Sequence, residues 1–152
     1  MIREFQKCDG VLVLSWFDNE HDFKLWTADR FDKFPITAED MEDCYAKEGV
    51  RAYSFACENN TSGHFTIRFI DESTVRLAMI AVDNTVRGKG MGRKMLTEAF
   101  EMVKSMGAEK VSICVFDENT AAVECYEKLG LKYTGKYEIC SLGKYREMEK
   151  DL

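Results

Sequence analysis

The chain has 152 residues, a mass of 17.5 kDa, and 21 Lys+Arg against 27 Asp+Glu, giving a formal net charge of −6. That length suits one domain, 1–152, with a substantial core, and 45% hydrophobic beside 32% charged residues excludes a fibrous or disordered chain. The apolar runs are too short to cross a bilayer, and a sequence pI of about 5.1 argues against nonspecific nucleic-acid binding and favours a cationic or amine partner.

In chain order, MIREFQK lacks an apolar leader and reads as a short first strand over residues 2–7. The stretch CDGVLVLSWFDNEHDFKLWTADRF leaves helix and strand open, because its apolar run is too short to show a period. PITAEDMEDCYAKEG is a helix, with Thr37 and Asp40 as a capping box, an acidic start in EDMED (39–43) and Gly49 as the stop. Three strands follow at 50–58, 64–70 and 74–82, with NNTSG as the first turn. In the second, Phe65, Ile67 and Phe69 share a face, and the third ends as a nearly continuous apolar run, as a strand buried on both sides does. From Gly90 to Met106, residues Met95, Leu96, Ala99, Phe100, Val103 and Met106 recur at helical spacing, and Gly107 ends the run. KVSICVF (110–116) is a further strand, and NTAAVECYEKLG a short helix with Asn119 as N-cap and Gly130 past its end. Two last strands join near Ser141–Gly143, so the order implies a mixed α+β or α/β sheet with helices packed on it. Six scattered cysteines without a C-x-x-C pair indicate a reduced, cytoplasmic protein with no structural zinc.

The segment TVRGKGMGRKM (85–95) places three glycines among four basic residues, between a strand and a helix. Such a junction offers free N–H groups and the positive end of a helix dipole to an anion. It matches neither the Walker A spacing nor the dinucleotide G-x-G-x-x-G. Taken alone, it also reads as a glycine-rich turn carrying solvated lysines and arginines.

VDNTVRGKGMGRKMLTEAF resembles the [QR]-x-x-G-x-[GA] signature of the GNAT superfamily of acyl-CoA-dependent N-acyltransferases, through Arg87, Gly90 and Gly92. About thirty residues on, FDENTAAVECYEKLGLKYTG resembles a second block of that family through Asn119, Ala122, Tyr126, Lys128, Gly130 and Leu131. The resemblance covers residues 50–150 well and residues 1–49 only as a variable helical part. It implies a mostly antiparallel central sheet with splayed parallel strands 74–82 and 110–116, flanked by helices, and acetyl-CoA as co-substrate. It further implies that the backbone across Arg87, Gly88, Lys89, Gly90, Met91, Gly92 and Arg93 cradles the pyrophosphate. The pantetheine arm would pair with the strand at Ile80, Ala81 and Val82, in the manner of an added strand, and Asn119 would touch it. Tyr126 would protonate the leaving thiolate, and N–H groups near Ile80 would meet the thioester oxygen. The implied activity is direct acetyl transfer to a primary amine of a small molecule or peptide, by a monomer or homodimer without membrane, nucleic-acid or metal partners. A non-catalytic CoA-binding sensor on the same fold is the alternative, because RLAMIAV holds no carboxylate. Asp83, Glu58, Asp71, Glu72, His64 or a water relay remain open as the base. Asp22, Asp29 and Asp32, beside Trp26 and Phe31, form either an amine-recognising wall or a solvated helix face.

Overall fold

The computed structural model describes residues 1–152. The elements are β1 (Ile2–Glu4), α1 (Lys7–Leu14), α2 (Glu20–Thr27), α3 (Ala38–Glu48), β2 (Arg51–Cys57), β3 (Asn60–Phe69) and β4 (Thr74–Val82). Then come α4 (Met91–Ser105), β5 (Lys110–Phe116), α5 (Thr120–Lys128), β6 (Lys132–Cys140) and β7 (Gly143–Asp151). All strands join one sheet of order β1-β2-β3-β4-β5-β7-β6, and only the β4–β5 pair is parallel. The expected mixed, mostly antiparallel sheet with flanking helices is what forms.

The first strand stops at Glu4 rather than residue 7, because the Gln6 N–H donates to Asp9 Oδ2 (2.9 Å) as α1 begins. The stretch left open resolves into two helices, α1 and α2. In α1 only Val13 of the run Val11–Leu14 is fully buried, while Val11 and Leu12 face solvent. Gly10 lets α1 lie against α3, since a Cβ there would stand 2.9 Å from Ala38 Cβ. The Thr37–Asp40 capping box forms as read, with both reciprocal bonds present. NNTSG is not a turn beyond its first residue: Glu58 and Asn59 turn with φ of 51° and 70°, and Asn60 already opens β3.

Two apolar layers flank the sheet. Phe65, Ile67, Val75 and Leu77 pack with Met95, Leu96, Ala99 and Phe100 of α4, while Met41, Tyr45, Trp16, Phe23 and Trp26 fill the layer under α1–α3. Burying each of these large side chains contributes about 1.5–3 kcal/mol. β3 is therefore covered on both faces, with His64 and Thr66 buried opposite Phe65 and Ile67, and Phe69 lies 43% exposed at its end.

Candidate active site

The site begins as a failure of pairing. β4 and β5 pair from Thr74–Lys110 to Leu77–Ile113 and then part, while β5 stays with β7 along its whole length. The departure coincides with a bulge. Across β3, His64 pairs with Ala81 and Thr66 with Ala78, so Met79 and Ile80 together stand opposite Phe65. Met79 takes φ 52°, a left-handed backbone that a side chain rarely adopts inside a strand. The Thr66 hydroxyl donates to Ala78 O (3.2 Å) and fastens the bulge. One extra residue reverses the faces beyond it: Val75 and Leu77 point to α4, whereas Met79 and Ala81 point to α1–α3. The β5-facing edge of β4 beyond Leu77 is left without a strand partner.

On the α4 side of this gap lies a cleft of about 540 Å³. Its walls are the end of β4, the glycine loop, the start of α4 and one face of α5. Gly88 and Gly90 have φ of 80° and 79°, so the loop needs glycine at both. Gly90 caps α4 without a side-chain bond and no acidic residue stands in its first turn. The N–H groups of Met91, Gly92 and Arg93 meet no acceptor within the chain. At Gly92 a Cβ would stand in ordinary contact with Val82 Cγ2 (3.7 Å) and Cys125 Sγ (3.9 Å). Free donors, a bare backbone floor and the flanking Arg93 and Lys128 make an anion cradle. The fit to a pyrophosphate continued by an amide-bearing arm rests on that cradle and the open β4 edge beside it.

Of the residues read from sequence, Ile80, Ala81, Val82, Arg87, Gly88, Gly90, Met91, Gly92, Arg93, Asn119 and Tyr126 all line this cleft, and Lys89 does not. Lys89 sits on the exposed rim of the loop. Arg87 turns back: its Nε donates to Val82 O (3.1 Å), its Nη2 to Trp16 O (3.4 Å), and its guanidinium lies 5.6 Å from the Phe17 ring. Asn119 Oδ1 accepts from Ala122 N–H (3.3 Å) as the N-cap of α5.

On the opposite side of the sheet a second cleft, of about 50 Å³, is lined by Trp26, Arg30, Met79, Cys114 and Tyr145 among others. Ile80, Asn119 and Tyr126 line both clefts. Tyr126 is 6% exposed, and burial pushes its phenol well above the usual tyrosine range, so it keeps its proton at neutral pH. Burial likewise pushes Tyr145 up to about 12 and raises Cys114.

None of the five candidate bases lines either cleft. Asp83 Oδ1 accepts from Thr85 N–H and hydroxyl (both 2.9 Å), and Asp71 accepts from Ser73 and Thr74 N–H, so each closes a turn. Glu58 and Glu72 are exposed. His64 is wholly buried; its Nδ1 meets Tyr53 O (2.9 Å) and its Nε2 meets the Tyr45 hydroxyl (2.7 Å). Burial lowers its pKa to about 4, which keeps it neutral and structural. Asp22, Asp29 and Asp32 also stand outside both clefts, so no acidic wall forms there; Asp22 is tied to Asn19 at the start of α2. The sequence reading missed Arg30, Met79, Cys114 and Tyr145. A basic residue amid aromatics in ADRFDKF was the available signal for Arg30, and nothing marked the bulge.

The curated relatives match only in part. The uncharacterized N-acetyltransferase YvbK of Bacillus subtilis is 24% identical over 95 residues, 62% of this chain and 61% of that protein. The peptidyl-lysine N-acetyltransferase YjaB of Escherichia coli is 38% identical over 63 residues, 41% of this chain and 40% of that protein. The chain thus spans less than two thirds of these relatives. Among solved structures, the spermidine N-acetyltransferase from Vibrio cholerae in complex with CoA and spermine superposes with a TM-score of 0.79 at 17% identity, covering 99% of this chain and 94% of that one. A family model described as Acetyltransferase (GNAT) family matches residues 13–131, and the chain belongs to that family.

Proposed function

We propose that the protein is an N-acetyltransferase that moves an acetyl group from acetyl-CoA to a primary amine, in a ternary complex formed across the splayed strands. The carrying observation is that two clefts, on opposite faces of the sheet, share Ile80, Asn119 and Tyr126. A co-substrate in the larger cleft and an amine in the smaller one would meet there without either crossing the other's path. Acetyl-CoA supplies a thioester whose carbonyl carbon is open to attack by a neutral amine.

The chain's residues do the rest. The first-turn N–H groups of α4 hold the pyrophosphate, and the unpaired edge of β4 at Ile80 and Val82 hydrogen-bonds the pantetheine amides. A main-chain N–H at the bulge donates to the thioester oxygen as it gains charge. As the amine nitrogen bonds to the carbonyl carbon and the C–S bond breaks, the Tyr126 hydroxyl gives its proton to the departing sulfur. The nitrogen's surplus proton passes to water, and Tyr126 regains its own from solvent. Only a water relay is left for deprotonation, because no carboxylate lines the smaller cleft. The acceptor is a small-molecule or peptide amine; relatives named for peptidyl-lysine and for spermidine support an amine.

Acetyl-CoA, ATP and NAD are compared at matched concentrations by thermal shift, followed by an amine screen with wild type and Tyr126→Phe. A shift with acetyl-CoA alone is expected, with turnover falling about 100-fold in Tyr126→Phe while acetyl-CoA still binds. Unchanged turnover removes Tyr126 from the chemistry, and binding without turnover of any amine supports the sensor alternative.

A further inference from the structure

The smaller cleft is rich in hydrogen-bond donors. Its polar wall groups are Trp26, Arg30, Cys114, Asn119, Tyr126 and Tyr145, with no carboxylate among them. Trp26 is only 9% exposed, and its Nε1–H is buried without a hydrogen-bond partner. The indole is held in place by Phe17, stacked at 4.4 Å and 12°, and by Phe23, edge-on at 6.0 Å. A fixed, buried donor without an acceptor points to a ligand that brings one. Arg30 adds the charge. Its Nε donates to Glu48 (3.1 Å) and its Nη1 to Thr27 O (2.8 Å), which leaves Nη2 without a protein partner. Arg30 lines the cleft and Glu48 does not. At Cys114 and Tyr145 burial raises the pKa most, the charges of Arg76 and Arg30 act against it, and Glu138 acts with it.

We infer that this cleft receives an amine that also carries a carboxylate, an acceptor of amino-acid type, with Arg30 and Trp26 as the donors that select it. The inference rests on the acetyl-transfer reading and names its substrate class. The cleft's volume of about 50 Å³ takes only the amine and carboxylate head of such an acceptor, with its side chain left outside. Arg30 repels a polycation, and the acidic side chains that would recognise one lie elsewhere. Burying the carboxylate against a planar guanidinium and an indole N–H replaces water with oriented donors, while an acceptor lacking that oxygen leaves both unpaired.

The test uses the whole chain, saturating acetyl-CoA and matched pairs: L-phenylalanine with phenethylamine, L-leucine with isopentylamine, and spermidine as the polycation. The expected result is a kcat/KM about tenfold or more higher for the carboxylate member of at least one pair, with spermidine poorest. Arg30→Gln brings the ratio within the preferred pair close to one, and Trp26→Phe lowers it several-fold. Melting temperature and acetyl-CoA affinity of both variants check that the fold and the larger cleft persist. Preference for spermidine or for the decarboxylated amines overturns the inference and leaves acetyl transfer standing. So does a ratio that Arg30→Gln does not change. Acetyl-CoA binding with no amine acetylated overturns the inference and the transfer reading together.

Discussion

The larger cleft is made chiefly of main chain: free N–H groups of α4, bare glycines and an unpaired strand edge. The smaller one is made of residues drawn from α2, the segment after it, β4, β5, α5 and β7. A site built from backbone must be spelled with glycines at fixed spacing, so it leaves a local mark in the sequence. A site built from side chains scattered over the chain leaves none, because only the strand order β5-β7-β6 brings Tyr145 near Trp26. The same contrast predicts which substitutions touch one face and spare the other.

The largest effect is expected from Gly92→Glu, which adds a carboxylate in the first turn of α4, at the proposed pyrophosphate cradle. Two like charges about 4 Å apart near a protein surface repel by about 4 kcal/mol, so acetyl-CoA affinity should fall about a thousandfold in calorimetric titration. The fold should hold, since Gly92 has an ordinary backbone conformation; retained affinity would remove the anion cradle.

Next is pH, which acts on the side of the sheet that carries the smaller cleft. His64 is neutral in the folded state down to about pH 4, whereas an unfolded histidine takes its proton near 6.5. The unfolded chain therefore binds more protons in that window, and stability falls as pH drops from about 6.5 to 4, by on the order of 3 kcal/mol. Urea unfolding at stepped pH measures the slope, and His64→Gln should flatten it there. Asp9, held at about 2 despite burial by Arg3, the Gln6 N–H and Ser54, adds acid sensitivity only below that window.

Gly10→Ala should cost about 2 kcal/mol by forcing α1 off α3, where Ala38 already stands at 2.9 Å from the new Cβ. Acceptor KM should rise and acetyl-CoA affinity stay constant; the reverse would break the division between faces. The smallest change, Arg87→Ala, sharpens it. Arg87 belongs to the glycine loop yet contacts Phe17, which stacks on Trp26. Losing its two carbonyl bonds should weaken both ligands by about 1 kcal/mol each, seen in parallel titrations.

What could be read locally was read. The Thr37–Asp40 box, the strand 74–82, the glycine loop and the Asn119 cap each depend on neighbours a few residues away. Helices α1 and α2 stayed open because Val11–Leu14 form an unbroken apolar run, and only the packing of Val13 against α3 decides its phase. Asn60–Gly63 carry turn formers yet extend β3, because the hairpin closes at Glu58–Asn59 and pairing with Phe55 and Val82 overrides propensity. The bulge was invisible because Met79 takes a conformation whose usual signal is glycine.

That bulge makes the meeting point depend on counting. With one residue removed between Ala78 and Ala81, a single residue would stand opposite Phe65, the ladder to β3 would run unbroken, and Ala81 and Val82 would keep their faces opposite His64 and Gly63. What the deletion would take away is the bulge at which β4 leaves β5, and with it the opening that the two clefts share. A conservative replacement at Met79 should therefore be tolerated better than a single-codon deletion beside it. What passes from one generation to the next at this point of the strand is a length as much as a letter.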